Sequence, residues 1–122
     1  MKAESILNTK AKAFALRIVK LFRYLKERKE SVIAKQVLRS GTSIGANITE
    51  GRYAQTRADF AAKYSIALKE AAETLYWLEL LRDGEFVEDN ANFQSLMADC
   101  DELIRILTAS IKTARRTERT EN

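Results

Sequence analysis

Four successive stretches of this chain repeat apolar residues at alternating intervals of four and three, with only short polar breaks between them. The first runs from Ile6 to Glu27 and places Leu7, Ala11, Phe14, Ile18, Leu21 and Leu25 on one side, the pattern of a long amphipathic helix. Lys29, Glu30 and Ser31 form a break, and Ser31 is the expected cap of a second helix with Ile33, Val37, Gly41, Ile44 and Ile48 inward. Gly51 is expected to close that helix in a left-handed C-terminal cap. Thr56 followed by Asp59 resembles a capping box and opens a third helix, with Phe60, Tyr64, Ala67, Ala71, Leu75 and Leu78 inward and Gly84 at its end. Asn90 caps a fourth, carrying Phe93, Met97, Cys100, Ile104, Leu107 and Ile111. Connections this short force neighbours to run antiparallel. The expected fold is all-α, an up-down-up-down four-helix bundle with a left-handed twist, in a single domain over residues 1–122. From Arg115 onward the apolar spacing is lost and fraying is expected.

Composition supports the same class and narrows the chemistry. A chain of 122 residues can build one core but not two, and zero Pro with only four Gly leaves little turn chemistry for a sheet. There is no His, and Cys100 is the single cysteine. That removes an internal disulfide and the usual transition-metal ligand sets, so neither a metal nor a cofactor is expected. No apolar run approaches a membrane span and Met1 to Glu4 carries no secretory signal, which points to a reducing, cytoplasmic setting away from membranes. Enzymatic function is not expected. General acid–base work at neutral pH most often uses His, the carboxylates fall mainly on solvent-facing or interface stripes, and Cys100 sits at a core position as a small apolar residue.

Charge is polarised along the chain. Residues 1–58 hold 13 Lys and Arg against 4 Asp and Glu, whereas residues 59–111 hold 4 against 11. Lys12, Arg17, Lys20, Arg23 and Lys26 wind around the first helix, and Leu16 and Val19 lie among them opposite the core stripe. On the third helix Ile66, Trp77 and Leu80 project away from the core side among Glu70 and Glu73; Ile106 on the fourth is similarly displaced. A basic-apolar patch that fits an acidic-apolar patch makes a heterologous contact, and one that closes makes a homo-oligomeric ring. The simpler alternative is that Trp77 only covers the bundle edge within one chain. The basic set is also a candidate surface for RNA or DNA through sequence-independent phosphate contacts. No recognition-helix, zinc-finger or single-strand stacking signature accompanies it. The rival is a protein-binding scaffold in which these charges are used up between subunits.

The run from Arg39 to Gly51 packs small and hydroxyl residues into one helix, at a helix-propensity penalty of up to about 1 kcal/mol for each Gly relative to Ala. Gly41 and Gly45 admit a close neighbour, while Ser40, Ser43, Asn47 and Glu50 form a polar stripe with Arg39 beside it. The stripe is expected to hydrogen-bond a neighbouring helix or the start of the next segment; Arg39 and Asn47 are the residues able to reach a phosphate or base edge. A phosphate-binding Gly-rich loop is not expected, because the pattern lacks Gly-Lys-Ser/Thr and no strand precedes it.

This run, followed by Asp59-Phe60, Ala67 to Ala71, Glu73 and Tyr76 to Leu81, resembles the four-helix bundle proteins encoded in intervening sequences of bacterial 23S ribosomal RNA genes. The Ser-Ile-x-x-Asn-Ile-x-Glu-Gly core, Ser43 to Gly51, carries most of the likeness, and Thr49 stands where Ala is frequent. The resemblance implies a homopentameric, barrel-like ring without established enzymatic activity. It assigns Arg39, Ser43, Asn47, Glu50 and Gly51 to the motif but gives them no firm chemical role. A more distant likeness in fold is to the accessory protein of diversity-generating retroelements, which binds a reverse transcriptase and nucleic acid; it implies a polymerase-type partner as one form of the scaffold alternative.

Overall fold

Local turn chemistry decides where each rod stops. The computed structural model describes the backbone of residues 2–121 and the side chains of residues 6–117. It consists of α1 (Lys2–Glu27), α2 (Val32–Arg52), α3 (Arg57–Asp83) and α4 (Ala91–Glu121). α1 ends in a Schellman turn: the Glu30 N–H donates to the Leu25 carbonyl at 2.9 Å, and Lys29 adopts φ 64°. α3 ends the same way, with the Phe86 N–H donating to the Leu81 carbonyl at 2.9 Å. Gly84 terminates α3 as expected, but at φ −83°; the left-handed position falls to Glu85 at φ 61°. Two of the three expected N-terminal caps form. Thr56 Oγ1 accepts from the Asp59 N–H at 3.0 Å, and Asn90 Oδ1 accepts from the Phe93 N–H at 2.9 Å.

Ser31 and Gly51 depart from expectation. The Ser31 backbone is near-helical, its side chain makes no capping bond, and Glu30 Oε1 instead accepts from the Ile33 N–H at 2.8 Å. The longer Glu30 side chain reaches forward to a donor that Ser31, already turned into the helix, does not meet. Gly51 is not a left-handed cap. It lies inside α2, which continues through Arg52 to a C-cap at Tyr53, and no glycine has a positive φ. Gly51 is small for another reason: a Cβ there would sit 2.8 Å from Cε1 of the buried Tyr64 ring. The backbone of α4 is helical to Glu121, so the apolar spacing is lost before the helix ends. The side chains of the expected frayed end, from Glu118 on, and Asn122 lie outside the described residues.

α1 packs on α2, α2 on α3, α3 on α4 and α4 back on α1, without diagonal pairs among the described residues, the up-down-up-down order. The core runs through Phe14, Ile18, Ile44, Ile48, Tyr64, Leu78 and Leu107, each at or below 1% exposed. Burying one such side chain stabilises by about 1.5–3 kcal/mol, whereas an exposed i, i+4 pair such as Arg105–Asp101 adds about 0.3–0.5 kcal/mol. Apolar burial therefore holds the bundle and the ion pairs tune it. On α3, Thr74 and Leu81 are buried while Phe60 and Leu75 are half-covered; on α4, Leu96 and Leu103 are buried while Met97 and Ile104 are half-covered. The buried residues keep steps of three and four along both helices, Tyr64, Ala67, Ala71, Thr74, Leu78 and Leu81 on α3 and Phe93, Leu96, Cys100, Leu103 and Leu107 on α4, so at Leu75, Met97 and Ile104 the inward position is the residue immediately before. Thr74 is accommodated because its hydroxyl lies 2.8 Å from the buried Ser40 hydroxyl of α2 and 2.7 Å from the Glu70 carbonyl. Among the described residues no helix is long and apolar enough to cross a membrane.

Cys100 is fully buried and its thiol donates to the Ala71 carbonyl at 3.3 Å. Burial, reinforced by Asp101 and Asp99, pushes the thiol up to about 12. An unfolded thiol ionises near 9, so between pH 9 and 12 the unfolded chain binds fewer protons and native stability falls as pH rises, by up to about 1.4 kcal/mol per pH unit. Between pH 8 and pH 10, wild type is expected to lose about 1 kcal/mol more than Cys100→Ala in denaturant titrations. Parallel losses in the two proteins would show that the thiol is not shielded.

Candidate nucleic-acid interface

The outer face of α1 carries a ridge of cations. Lys12, Lys20, Arg23 and Lys26 are exposed, Leu16 stands among them at 57% exposure, and Val19 is half-buried. Among the described residues no hydrogen bond or ion pair engages Lys12, Lys20 or Arg23, and the Lys26 ammonium lies 5.7 Å from the Phe22 ring centroid. Arg17 has a different position from the other four. It reaches across to α4, donating to Asp99 Oδ2 at 2.7 Å, Ser95 Oγ at 3.2 Å, and the carbonyl and Oδ1 of Asn92 at 2.9 and 3.1 Å. With the Lys10–Glu102 pair at 3.0 Å, it ties together the α1–α4 seam.

The matching acidic patch on α3 is already engaged inside the chain, with one guanidinium set against its two carboxylates. Arg39 of α2 donates to Glu70 Oε2 at 3.1 Å and to Glu73 Oε2, and the Trp77 indole N–H donates to the same Glu73 oxygen at 2.8 Å. Trp77 and Leu80 are half-buried, whereas Ile66 and Tyr76 are 43% and 54% exposed. Apolar residues are spread almost evenly around α3, so this helix has more apolar surface than its own bundle covers.

The α2 polar stripe divides between its own helix and α3. Ser43 Oγ donates to the Arg39 carbonyl at 2.7 Å and Asn47 Nδ2 to the Ser43 carbonyl at 2.9 Å. Contacts to α3 come from Arg39, from Ser40 and from Glu50, whose Oε1 accepts from Lys63 Nζ at 3.2 Å. The glycines serve separate approaches: a Cβ on Gly41 would lie 2.9 Å from Ile18 of α1, whereas one on Gly45 would find its nearest atom, in Ala11, at 3.7 Å. A bundle with this motif at its α2 seams has a direct counterpart: residues 4–109 match the family described as 23S rRNA-intervening sequence protein. The chain belongs to that family.

The match is supported in three dimensions. The bundle is similar to the crystal structure of a protein of unknown function from the S23 ribosomal protein family of Bacteroides thetaiotaomicron, with 49% identity and a TM-score of 0.86, covering 90% of this chain and 98% of that one. No curated protein matches the sequence.

Among the described residues of this intervening-sequence protein, clefts open at two of the helix seams. One of about 890 Å³ lies between the start of α3 and the second half of α4, with Phe60, Ile106 and Ala109 in its lining. The other, of about 580 Å³, opens where α1 meets the start of α4, with Leu21, Phe93 and Leu96 as apolar lining. Its polar rim includes residues that helical periodicity does not single out. Arg28, just beyond α1, stacks its guanidinium 3.6 Å from the Tyr24 ring centroid, and Asn90 and Asn92 come from the other side of the seam. The spacing of four between Tyr24 and Arg28 was the only advance signal of that pair.

Proposed function

We propose that this intervening-sequence protein is a non-enzymatic bundle that assembles with copies of itself and binds structured RNA or DNA through the outer face of α1. The observation that carries this reading is an asymmetry in pairing. The α1 cations Lys12, Lys20 and Arg23 have no partner among the described residues, while the α3 carboxylates that would answer them across a subunit boundary, Glu70 and Glu73, are already held by Arg39. Cations left unspent by the fold attract phosphates, and each neutralised phosphate releases counterions. Assembly rests on the uncovered apolar face of α3 around Ile66 and Tyr76, and a ring of copies, the pentamer that the family likeness implies, multiplies the field of the ridge. Absence of catalysis is supported by the lack of His and by a sole thiol held neutral up to about 12.

The test is binding of a structured RNA at low ionic strength by wild type and by Lys12→Gln/Lys20→Gln/Arg23→Gln. The triple variant is expected to bind at least about a hundredfold more weakly, since three phosphate contacts are lost. Equal affinity of the two proteins would refute the ridge. A protein scaffold is the second reading, favoured by the exposed α3 face. Under it Lys20→Glu/Arg23→Glu breaks the oligomer, whereas under the nucleic-acid reading the mass stays unchanged.

A further inference from the structure

The cleft between α1 and the start of α4 adjoins the cationic ridge and is built differently from it. Lys20 belongs to both, and Tyr24 and Arg28 provide one wall. Tyr24 is 38% exposed and the Arg28 guanidinium carbon sits over its ring, so the pair presents an aromatic, cation-bearing surface. Across the cleft, Asn90 and Asn92 already use their Oδ1 atoms as acceptors, for the Phe93 N–H and for Arg17. Their amide N–H groups have no acceptor among the described residues. One carboxylate, Glu88, shares the rim. A stacking plane, an ammonium and two amide donors around an apolar floor are the groups that recognise a nucleobase and its phosphate, and a cleft of about 580 Å³ lies within the usual size range of ligand sites.

Resting on the nucleic-acid reading above, we infer that this cleft holds one unpaired nucleotide, its base stacked on Tyr24–Arg28 and its phosphate at Lys20. Bases inside a duplex have no free face to offer, so the cleft confers a preference for single-stranded segments and loops. The ridge supplies general affinity and the cleft tells unpaired from paired strands.

Fluorescence anisotropy with a labelled oligouridylate and with a labelled RNA duplex of equal length, at one low salt concentration, tests this on the full chain. Tyr24→Ala is expected to weaken oligouridylate binding about tenfold, to leave duplex binding unchanged, and to be rescued by Tyr24→Phe. Arg28→Ala is expected to act in the same direction. If wild type binds both probes and Tyr24→Ala changes neither, or weakens both equally, the cleft assignment fails while the ridge stands. If wild type binds neither probe, both fail.

Discussion

Replacing Gly41 and Gly51 together with Ala is expected to destabilise the bundle by about 2–4 kcal/mol, while Gly45→Ala leaves it as stable or raises its stability by up to about 1 kcal/mol. All three glycines are helical with ordinary φ, so conformational freedom is not what each provides. What differs is the room beside them. A Cβ at position 41 would lie 2.9 Å from two carbons of Ile18, and one at 51 would lie 2.8 and 2.9 Å from two ring carbons of Tyr64. Ile18 and Tyr64 are both fully buried, and the Tyr64 ring is pinned by Phe60 at a 4.1 Å centroid distance, so neither can yield without moving a helix. Overpacking of this kind costs about 1–3 kcal/mol per site, against a helix-propensity gain of up to about 1 kcal/mol. The two sites share no neighbour, so their effects add. At position 45 the nearest atoms stand at 3.7–3.8 Å and only the gain remains. Thermal unfolding of the double variant is expected roughly 10 °C below wild type. Equal midpoints for the Gly41, Gly45 and Gly51 variants would contradict the close approaches of α2 to α1 and α3.

Ile66→Glu is expected to convert an assembled species to monomer without loss of helix. Ile66 is 43% exposed on the outer face of α3, so a carboxylate is tolerated there in a lone chain, whereas in a covered apolar contact an unpaired carboxylate costs several kcal/mol. That corresponds to at least about a hundredfold in the dissociation constant. Trp77→Glu is a less clean probe, because Trp77 also packs against its own core and donates to Glu73. Light scattering gives the mass and circular dichroism the helix content. A variant with the oligomeric mass of wild type excludes this face as the contact, and a monomeric wild type excludes assembly.

The helices were legible because their signal is redundant: each buries five or more side chains at a fixed period, and one misplaced residue does not erase it. Caps rest on single side chains, which is why Thr56 and Asn90 read correctly while Glu30 displaced Ser31. Gly51 misled because a small residue near a helix end satisfies both a left-handed cap and a tight contact, and only the position of Tyr64 decides between them. The candidate surface was half visible. Cations on one helix can be listed from spacing, but which are spent inside the fold depends on other helices. Arg17 meets Asp99 across 82 positions of sequence, and Arg39 meets Glu73 across 34. The cleft was invisible for the same reason, since Tyr24 and Asn92 become neighbours only when α1 lies beside α4.

The central claim, that the α1 cations are left over by the fold in order to meet phosphates, is tested most directly by titrating wild-type binding of a structured RNA against salt. The account predicts that log affinity falls linearly with log salt, with a slope that corresponds to about 0.7–0.9 per phosphate contact and becomes shallower by about 2–3 when Lys12, Lys20 and Arg23 are neutralised. A slope near zero, or no binding at the lowest salt, contradicts it.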